Sequence, residues 1–362
     1  MRNLRVYVYA ICKNEEKSVD KWMDSMSEAD GVYVLDTGSD DGTVEKLRGR
    51  GAVVVVQPVK PWRFDTARNL SMELLPEDAD ICVCTDLDER FIPGWRKLLE
   101  SRWTPGVQRA LYTFNWSLNP DGSPNTQLVY FKIHARHGYE WRCPIHEYLA
   151  YTGAGNEKKI YIEELILNHY PDPGKSRGSY LPMLEKAAAD EPNNERMAYY
   201  LGREYLYAGK WQKCIDTLMR QINMPTSKWS EERSACMRWI AHSYNKLGFR
   251  NESYVWYYRA IAECPDMRDA YVEFALVAYG YRDWDAVYYF AGRALKITKK
   301  NLRFVNQGYA WDHTPDDLFS LACWNLGMYE RSLEHAKKAL SFSPEDKRLQ
   351  TNVQCIERKL KC

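Results

Sequence analysis

Long apolar runs are missing: no stretch of the 362-residue chain approaches the roughly 18 uninterrupted apolar residues that a membrane-spanning helix requires. Met1-Arg2-Asn3-Leu4-Arg5 leads into a short strand-like segment instead of a signal-peptide h-region, so a soluble cytoplasmic protein is expected. Excess charge is missing too. Fifty Lys and Arg against 49 Asp and Glu leave a net +1, which argues against bulk electrostatic capture of nucleic acid or anionic membrane and leaves room only for a local basic groove. The ten cysteines lack the paired Cys-x-x-Cys clusters of a structural zinc site. Cys82 and Cys84 alternate with apolar residues, so the thiols read as reduced and mostly structural. At about 150 residues per domain, the length accommodates two cores.

The most informative stretch is Ile81-Cys82-Val83-Cys84, a buried-strand pattern that runs without a turn signal into Thr85-Asp86-Leu87-Asp88-Glu89. Acids emerging there lie at the carboxyl end of a strand, where open α/β sheets bind their ligands. Asp86 and Asp88 are one residue apart, and side chains at i and i+2 of extended backbone share a face, so both can reach one cation. Taken alone, the same pattern also describes two solvated loop acids.

The residues before it alternate between strand and helix. Val6–Ile11 is β-prone and ends at Cys12-Lys13-Asn14-Glu15-Glu16, where Asn14 is placed to cap a helix carrying Val19, Trp22, Met23 and Met26. Gly31–Leu35 is a second strand, closing on Asp36-Thr37-Gly38-Ser39-Asp40. Its small residues suit either close approach of a ligand or a plain turn. A helix from Thr43 to about Arg50, a third buried strand over Ala52–Val56, and a helix from Trp62 to about Leu75, stopped by Pro76, complete the pattern. Arg68 on that helix suits a diphosphate, or else a surface ion pair. Strand-helix-strand alternation implies parallel, right-handed crossovers and an α/β sheet. Beyond Pro93 come a helix at Trp95–Glu100 and strands at Ala110–Trp116 and Gln127–His134 flanking the turn Asn119-Pro120-Asp121-Gly122. A last strand, Ile160–Leu167, ends at Asn168-His169-Tyr170, and Pro171–Ser176 reads as a hinge.

Four segments, in this order and at these spacings, resemble the family-2 glycosyltransferases of GT-A fold: Ala10–Glu16, Leu35–Thr43, Trp62–Asn69 and Asp86–Glu89. The likeness spans most of residues 4–170. It implies a nucleotide-sugar donor, UDP-linked, a divalent cation (Mn²⁺ or Mg²⁺) at the Asp-x-Asp, and inversion at the anomeric carbon. It places Asn14 and Glu15 along the nucleoside, Asp36 on its base, Asp86 on ribose or metal, and Asp88 on metal. The chemistry agrees, because a cation with oxygen ligands neutralises a leaving diphosphate without a proton. By the same resemblance the segment Trp141–Glu147 lies under the donor sugar, which makes Glu147 the candidate general base: inversion by direct displacement needs one carboxylate to take the acceptor's proton. A structural pair is the other reading of His146 and Glu147. The resemblance also implies His169 as a further metal ligand, with His146, or no histidine, as alternatives.

From about residue 180 strand signals vanish and a repeat emerges. Tyr199–Tyr205 followed by Gly209 recurs as Trp239–Tyr244 with Gly248, as Phe274–Tyr279 with Asp283-Trp284, and as Leu321–Tyr329, while Ala260 with Pro265 matches Ala339 with Pro344. This is similar to the tetratricopeptide repeat of about 34 residues, with insertions near Asn223–Trp229 and Leu302–Asp312. Aromatics at repeat positions fill the gaps between helix pairs, so most are expected in the core. The apolar insertion Asn301–Asp312 is expected to pack on the catalytic domain or cap the acceptor.

The expected fold is thus an α/β GT-A unit with a Rossmann-like mixed sheet over residues 1–170, a hinge and first helix over 171–193, and an all-α tetratricopeptide solenoid over 194–362. The expected function is inverting glycosyl transfer, first of all to a peptide or protein held by the repeats, as the resemblance to bacterial and phage peptide-modifying enzymes implies. Polysaccharide, lipid-linked and modified-DNA-base acceptors remain open, as does a homo-oligomer. The rivals from other classes are a nucleotidyltransferase and a non-catalytic repeat scaffold.

Overall fold

The computed structural model describes residues 4–172, 174 and 180–361, so Pro173, Lys175 and Ser176 of the expected hinge lie outside the described residues. The chain divides into two compact units, Met1–Ala187 and Ala188–Cys362.

In the first unit the order is β1 (Val6–Cys12), α1 (Val19–Met26), β2 (Gly31–Asp36), α2 (Thr43–Gly49), β3 (Val53–Val56), α3 (Phe64–Glu73) and β4 (Ile81–Cys84). Then come β5 (Glu89–Phe91), α4 (Trp95–Arg102), β6 (Arg109–Leu118), β7 (Pro124–His134), β8 (Tyr139–Arg142), β9 (Tyr148–Tyr151) and β10 (Lys159–His169). Eight strands form one mixed sheet in the order β3-β2-β1-β4-β7-β6-β10-β5. The four amino-terminal strands run parallel, β7 is antiparallel to both neighbours, and β10 is parallel to β6 but antiparallel to β5.

Strand alternation separates two cores. Val6, Val8, Ala10 and Val83 point to one face with Trp22 of α1 and Trp95 of α4. Tyr9, Cys82 and Cys84 point to the other, with Met72 of α3 and Trp141 of the β8–β9 hairpin. A period-2 pattern buried on both sides is what a sheet with layers on each face requires. Two expectations change here. The third strand is not buried: β3 is the sheet edge, bonded only to β2, and Val53 and Val56 are 51% and 48% exposed. Asn14 caps no helix, since α1 begins at Val19 and Asn14 sits in the left-handed region at φ 56°. The short β5 and the β8–β9 hairpin carry too few residues for a periodic signal, and only the structure reveals them.

The second unit is helical throughout. The division falls inside α5 (Tyr180–Asp190), and α6 (Glu195–Tyr207), α7 (Trp211–Ile222), α8 (Ser230–Lys246), α9 (Arg250–Glu263) and α10 (Arg268–Gly280) follow. The series ends with α11 (Trp284–Leu295), α12 (Thr314–Asn325), α13 (Tyr329–Phe342) and α14 (Lys347–Lys361). Helices pack as the pairs α6/α7, α8/α9, α10/α11 and α12/α13, with α14 against α13, which is the tetratricopeptide arrangement. Gly209, Gly248 and Gly327 make the turns with positive φ, and in the third pair Arg282 takes the same conformation at φ 55° without a glycine's freedom.

Aromatics are divided between core and surface. Tyr257, Phe274 and Phe290 stack at centroid distances of 5.3 and 3.9 Å, and Tyr199, Tyr205 and Phe319 are buried too, as expected of repeat aromatics, whereas Tyr207, Tyr258 and Tyr289 are exposed. The insertion Asn301–Asp312 is anchored to helices of its own unit. The Gln307 N–H donates to Asp269 at 2.7 Å, the Tyr309 hydroxyl to Glu273 at 2.6 Å, and Phe304 packs on Trp229. Its apolar character is explained by this packing.

Gly202 of α6 faces Leu218 of α7 so closely that an added Cβ would fall inside the leucine side chain. Gly202→Ala should therefore destabilise the helical unit by about 1–3 kcal/mol despite alanine's better helix propensity. Arg282→Gly should stabilise it by about 1 kcal/mol by relieving the left-handed backbone. Thermal and urea denaturation of the two variants check these opposite signs.

Candidate active site

Parallel register brings the strand ends together. Cys12 of β1 lies opposite Asp36 of β2, and Tyr9 opposite Cys84 of β4, so Asp36, Asp86 and Asp88 all emerge on the carboxyl edge of the sheet. Trp22 of α1 donates its indole N–H to Thr85 at 3.0 Å, locking the base of the acidic loop.

Asp36 is fully buried and accepts the Gly38 and Ser39 N–H groups at 3.0 and 2.9 Å. Its carboxylate therefore shapes its own turn. Asn14 exchanges bonds with Asp40 in both directions, at 2.8 and 2.9 Å, and the Glu15 N–H donates to the Thr43 hydroxyl at 2.8 Å. The two segments expected along the nucleoside are thus tied to each other across the β1 and β2 ends.

Arg68 of α3 is 3% exposed and joins the acidic loop to the 141–147 segment. Its Nη2 donates to Asp86, its Nε to Glu147 at 3.0 Å and its Nη1 to the Cys84 sulfur at 3.5 Å. Its plane lies over the Trp141 ring, and the next residue, Asn69, exchanges two bonds with the Trp141 backbone at 2.9 and 2.8 Å. Arg68 thus orients Asp86 and Glu147.

The second cation is Lys132 of β7, which the sequence reading passed over. Its ammonium donates to Asp86 at 3.1 Å and Glu89 at 3.4 Å, and Glu89 also accepts the Asp86 N–H at 2.9 Å. A single lysine inside Leu128–His134, an otherwise largely apolar strand, was the available signal, because a buried ammonium demands a carboxylate partner. Burial works against the charged form of Asp86, yet Arg68 and Lys132 hold its carboxyl well below the usual carboxylate range. Burial pushes Glu89 up to about 7, with Lys132 opposing and Asp86 adding to the rise.

Asp88 turns the other way. Its carboxylate lies 3.4 Å from Nε2 of His169, because antiparallel pairing sets His169 opposite Glu89 and the Tyr170 N–H donates to the Asp88 carbonyl at 2.8 Å. Nδ1 of His169 bonds the Trp116 carbonyl at 3.0 Å. Burial alone would lower the His169 pKa, but Asp88 and that carbonyl raise it overall. The His146 ring lies 5.9 Å from that of Tyr180, and His169 is the histidine seen within 3.4 Å of Asp88. Arg90 settles over the Tyr170 ring at 4.3 Å.

The donor set suits a small divalent cation in part. Asp88 supplies a carboxylate and His169 a ring nitrogen whose partner nitrogen is fixed on a carbonyl, the usual arrangement of a ligating histidine. The expected third ligand, Asp86, is committed to Arg68 and Lys132, and no group of three or more His, Cys, Asp or Glu side chains poised for a metal occurs among the described residues. A site with one or two protein ligands, completed by phosphate oxygens and water, is the pattern Mg²⁺ adopts with phosphorylated substrates. Likewise, among the described residues, no helix is long and apolar enough to cross a membrane.

No family model and no curated protein sequence matches the chain. Among solved structures it is similar to a crystal structure of MamA at 17% identity, covering 49% of this chain and 99% of that one with a TM-score of 0.39. It is also similar to the APC/C hetero-tetramer Cut9-Hcn1 at 14% identity, covering 50% of this chain and 33% of that one, TM-score 0.39. Superpositions this loose assign neither ligand nor activity to this chain.

Two tests address the charge network. Lys132→Met should cost about 3–5 kcal/mol in urea denaturation by leaving the buried Glu89 carboxylate beside Asp86 without its cation, and adding Glu89→Gln should recover part of the loss. Because Glu89 keeps its proton in the folded state after the unfolded chain has lost it, its contribution is full below about pH 4.5 and falls as pH rises through about 7. Glu89→Gln should therefore flatten the decline in unfolding free energy over that window.

Proposed function

We propose that the first unit is an inverting glycosyltransferase of GT-A type that uses a nucleotide-sugar donor, UDP-linked, together with Mn²⁺ or Mg²⁺. The observation that carries this reading is the meeting of Asp88 and His169, distant in sequence, on the carboxyl edge of the sheet, beside a buried Arg68 that holds Asp86 and Glu147 in one constellation. Asp88 and His169 are the residues to hold the cation. When bound, it offsets the charge that develops on the leaving diphosphate. Asp86, kept ionised and fixed by Arg68 and Lys132, offers acceptor positions to ribose hydroxyls. Glu147, oriented by Arg68 and with its side chain 12% exposed, is the group to take the proton from an acceptor hydroxyl or thiol. A peptide or protein is the acceptor proposed, with the repeats as the surface that binds it.

One observation favours a second reading, a binding scaffold without turnover: Arg68, Lys132, Asp86, Glu89 and Glu147 already answer one another's charges.

Screening nucleotide sugars for metal-dependent hydrolysis separates the two. The transferase reading expects release of a nucleoside diphosphate, not pyrophosphate, from one donor. Asp88→Asn and His169→Ala should weaken the metal dependence of that release about 10–100-fold. Glu147→Gln should lower transfer about 10²–10⁴-fold while leaving metal-dependent nucleotide binding intact. No hydrolysis and no metal-dependent nucleotide binding across the panel would establish the scaffold.

A further inference from the structure

The helical unit contains an open groove of about 560 Å³. It is lined by the first helices of three successive pairs: Tyr207 at the end of α6, Trp239 and His242 on α8, and Glu273 and Leu276 on α10. The spacing explains the lining, since Trp239, His242 and Asn245 recur every three residues and so share one helix face. The insertion closes one side with Gln307 and Tyr309. Adjacent helix axes lie about 8–10 Å apart, so three helices span about 16–20 Å. Five or six residues of extended chain, at about 3.3 Å each, cover that length.

The charge of this lining is one-sided. Glu273 is the only acidic or basic side chain on it apart from His242, and burial, with Lys246 nearby, lowers the His242 pKa and favours the neutral ring. Arg238 stands behind Glu273, 1% exposed, and lies between Glu273 and Asp269, so two carboxylates meet one guanidinium. The bonds that Glu273 accepts from Arg238 and from the Tyr309 hydroxyl both land on Oε1, and neither uses Oε2. The Tyr309 hydroxyl touches the carboxylate, and the rings of Trp239 and Tyr257 line the same groove with those of Tyr207 and Tyr281, which already carry Arg203 at 5.9 Å and Arg250 at 4.8 Å; aromatic faces attract cations.

We propose that this groove docks an extended segment of a partner polypeptide and seats one lysine or arginine side chain against Oε2 of Glu273, beside the rings of Trp239 and Tyr309. An anionic segment would meet a carboxylate with no cation on the lining, and an apolar one would leave Oε2 of that carboxylate without a donor. The docking stands independently of the transfer chemistry proposed for the first unit.

Calorimetric titration of the full chain tests it. The probes are a blocked hexapeptide, Ala-Leu-Arg-Ser-Leu-Ala, and versions with Gln, norleucine or Glu in place of the arginine, together with arginine amide alone. The arginine peptide should bind about tenfold tighter than the other three peptides and than arginine amide. Glu273→Gln should erase the preference. Gly280 lines the groove, and a Cβ there meets nothing within 4 Å, so Gly280→Leu adds bulk at the groove with no clash at the added Cβ. That variant should weaken the arginine peptide about tenfold at an unchanged melting temperature. Equal affinity for the Gln peptide, tightest binding of the Glu peptide, a preference surviving Glu273→Gln, undiminished binding to Gly280→Leu, arginine amide as tight as the peptide, or no binding at all would each overturn the assignment.

Discussion

A guanidinium with almost no access to water is the constraint around which the edge of the first unit is built. Moving an ion of that size out of water costs several kcal/mol, and only carboxylates and ordered acceptors in good geometry repay it. Arg68 finds them in Asp86 from the loop after β4 and in Glu147 from the segment between β8 and β9. Satisfying one buried charge therefore fixes two segments well separated in the chain. Lys132 extends the arrangement to Glu89, so the acidic loop is clamped from α3 on one side and β7 on the other.

The clamp has a consequence for chemistry. The two aspartates of the Asp-x-Asp are usually pictured as a pair, yet here they face different partners. Asp86 belongs to the cationic clamp and Asp88 to His169. The division follows from register: β10 runs antiparallel to β5, which sets the last residue of β10 beside the loop that carries Asp88. What distinguishes a candidate ligand from a structural acid in this loop is thus the neighbouring strand, and the local motif does not contain that information.

In the helical unit the governing constraint is closeness of paired helices. Gly202 lets α6 approach α7 to the point where any side chain would strike Leu218, and the ring stack of Tyr257, Phe274 and Phe290 fills the wider gap at α9, α10 and α11. Once those positions are spent on packing, the residues left on the inner face are the ones that define the groove. Its single carboxylate, Glu273, is held by Arg238 from the preceding pair and by Tyr309 from the insertion, so the feature exists only because three segments converge.

The apolar periodicities of β1, α1, β2 and β4, and the repeat of glycine turns and alanines in the second half, were legible because they are local: burial of one face demands them whatever lies opposite. The Asp-x-Asp at the end of an apolar strand was legible for the same reason. The exposure of β3, the existence of β5 and the β8–β9 hairpin, and the enclosure of Arg68 were not, because each depends on which strand or segment lies alongside. Residue type and spacing nominated Asp86 and Asp88, and the resemblance to family-2 glycosyltransferases added Glu147 and His169. Only the tertiary structure decided that Arg68 binds Asp86 and Glu147, that His169 meets Asp88, and that Lys132 joins them, since buried charges are sorted by proximity in space and the order of residues does not record it.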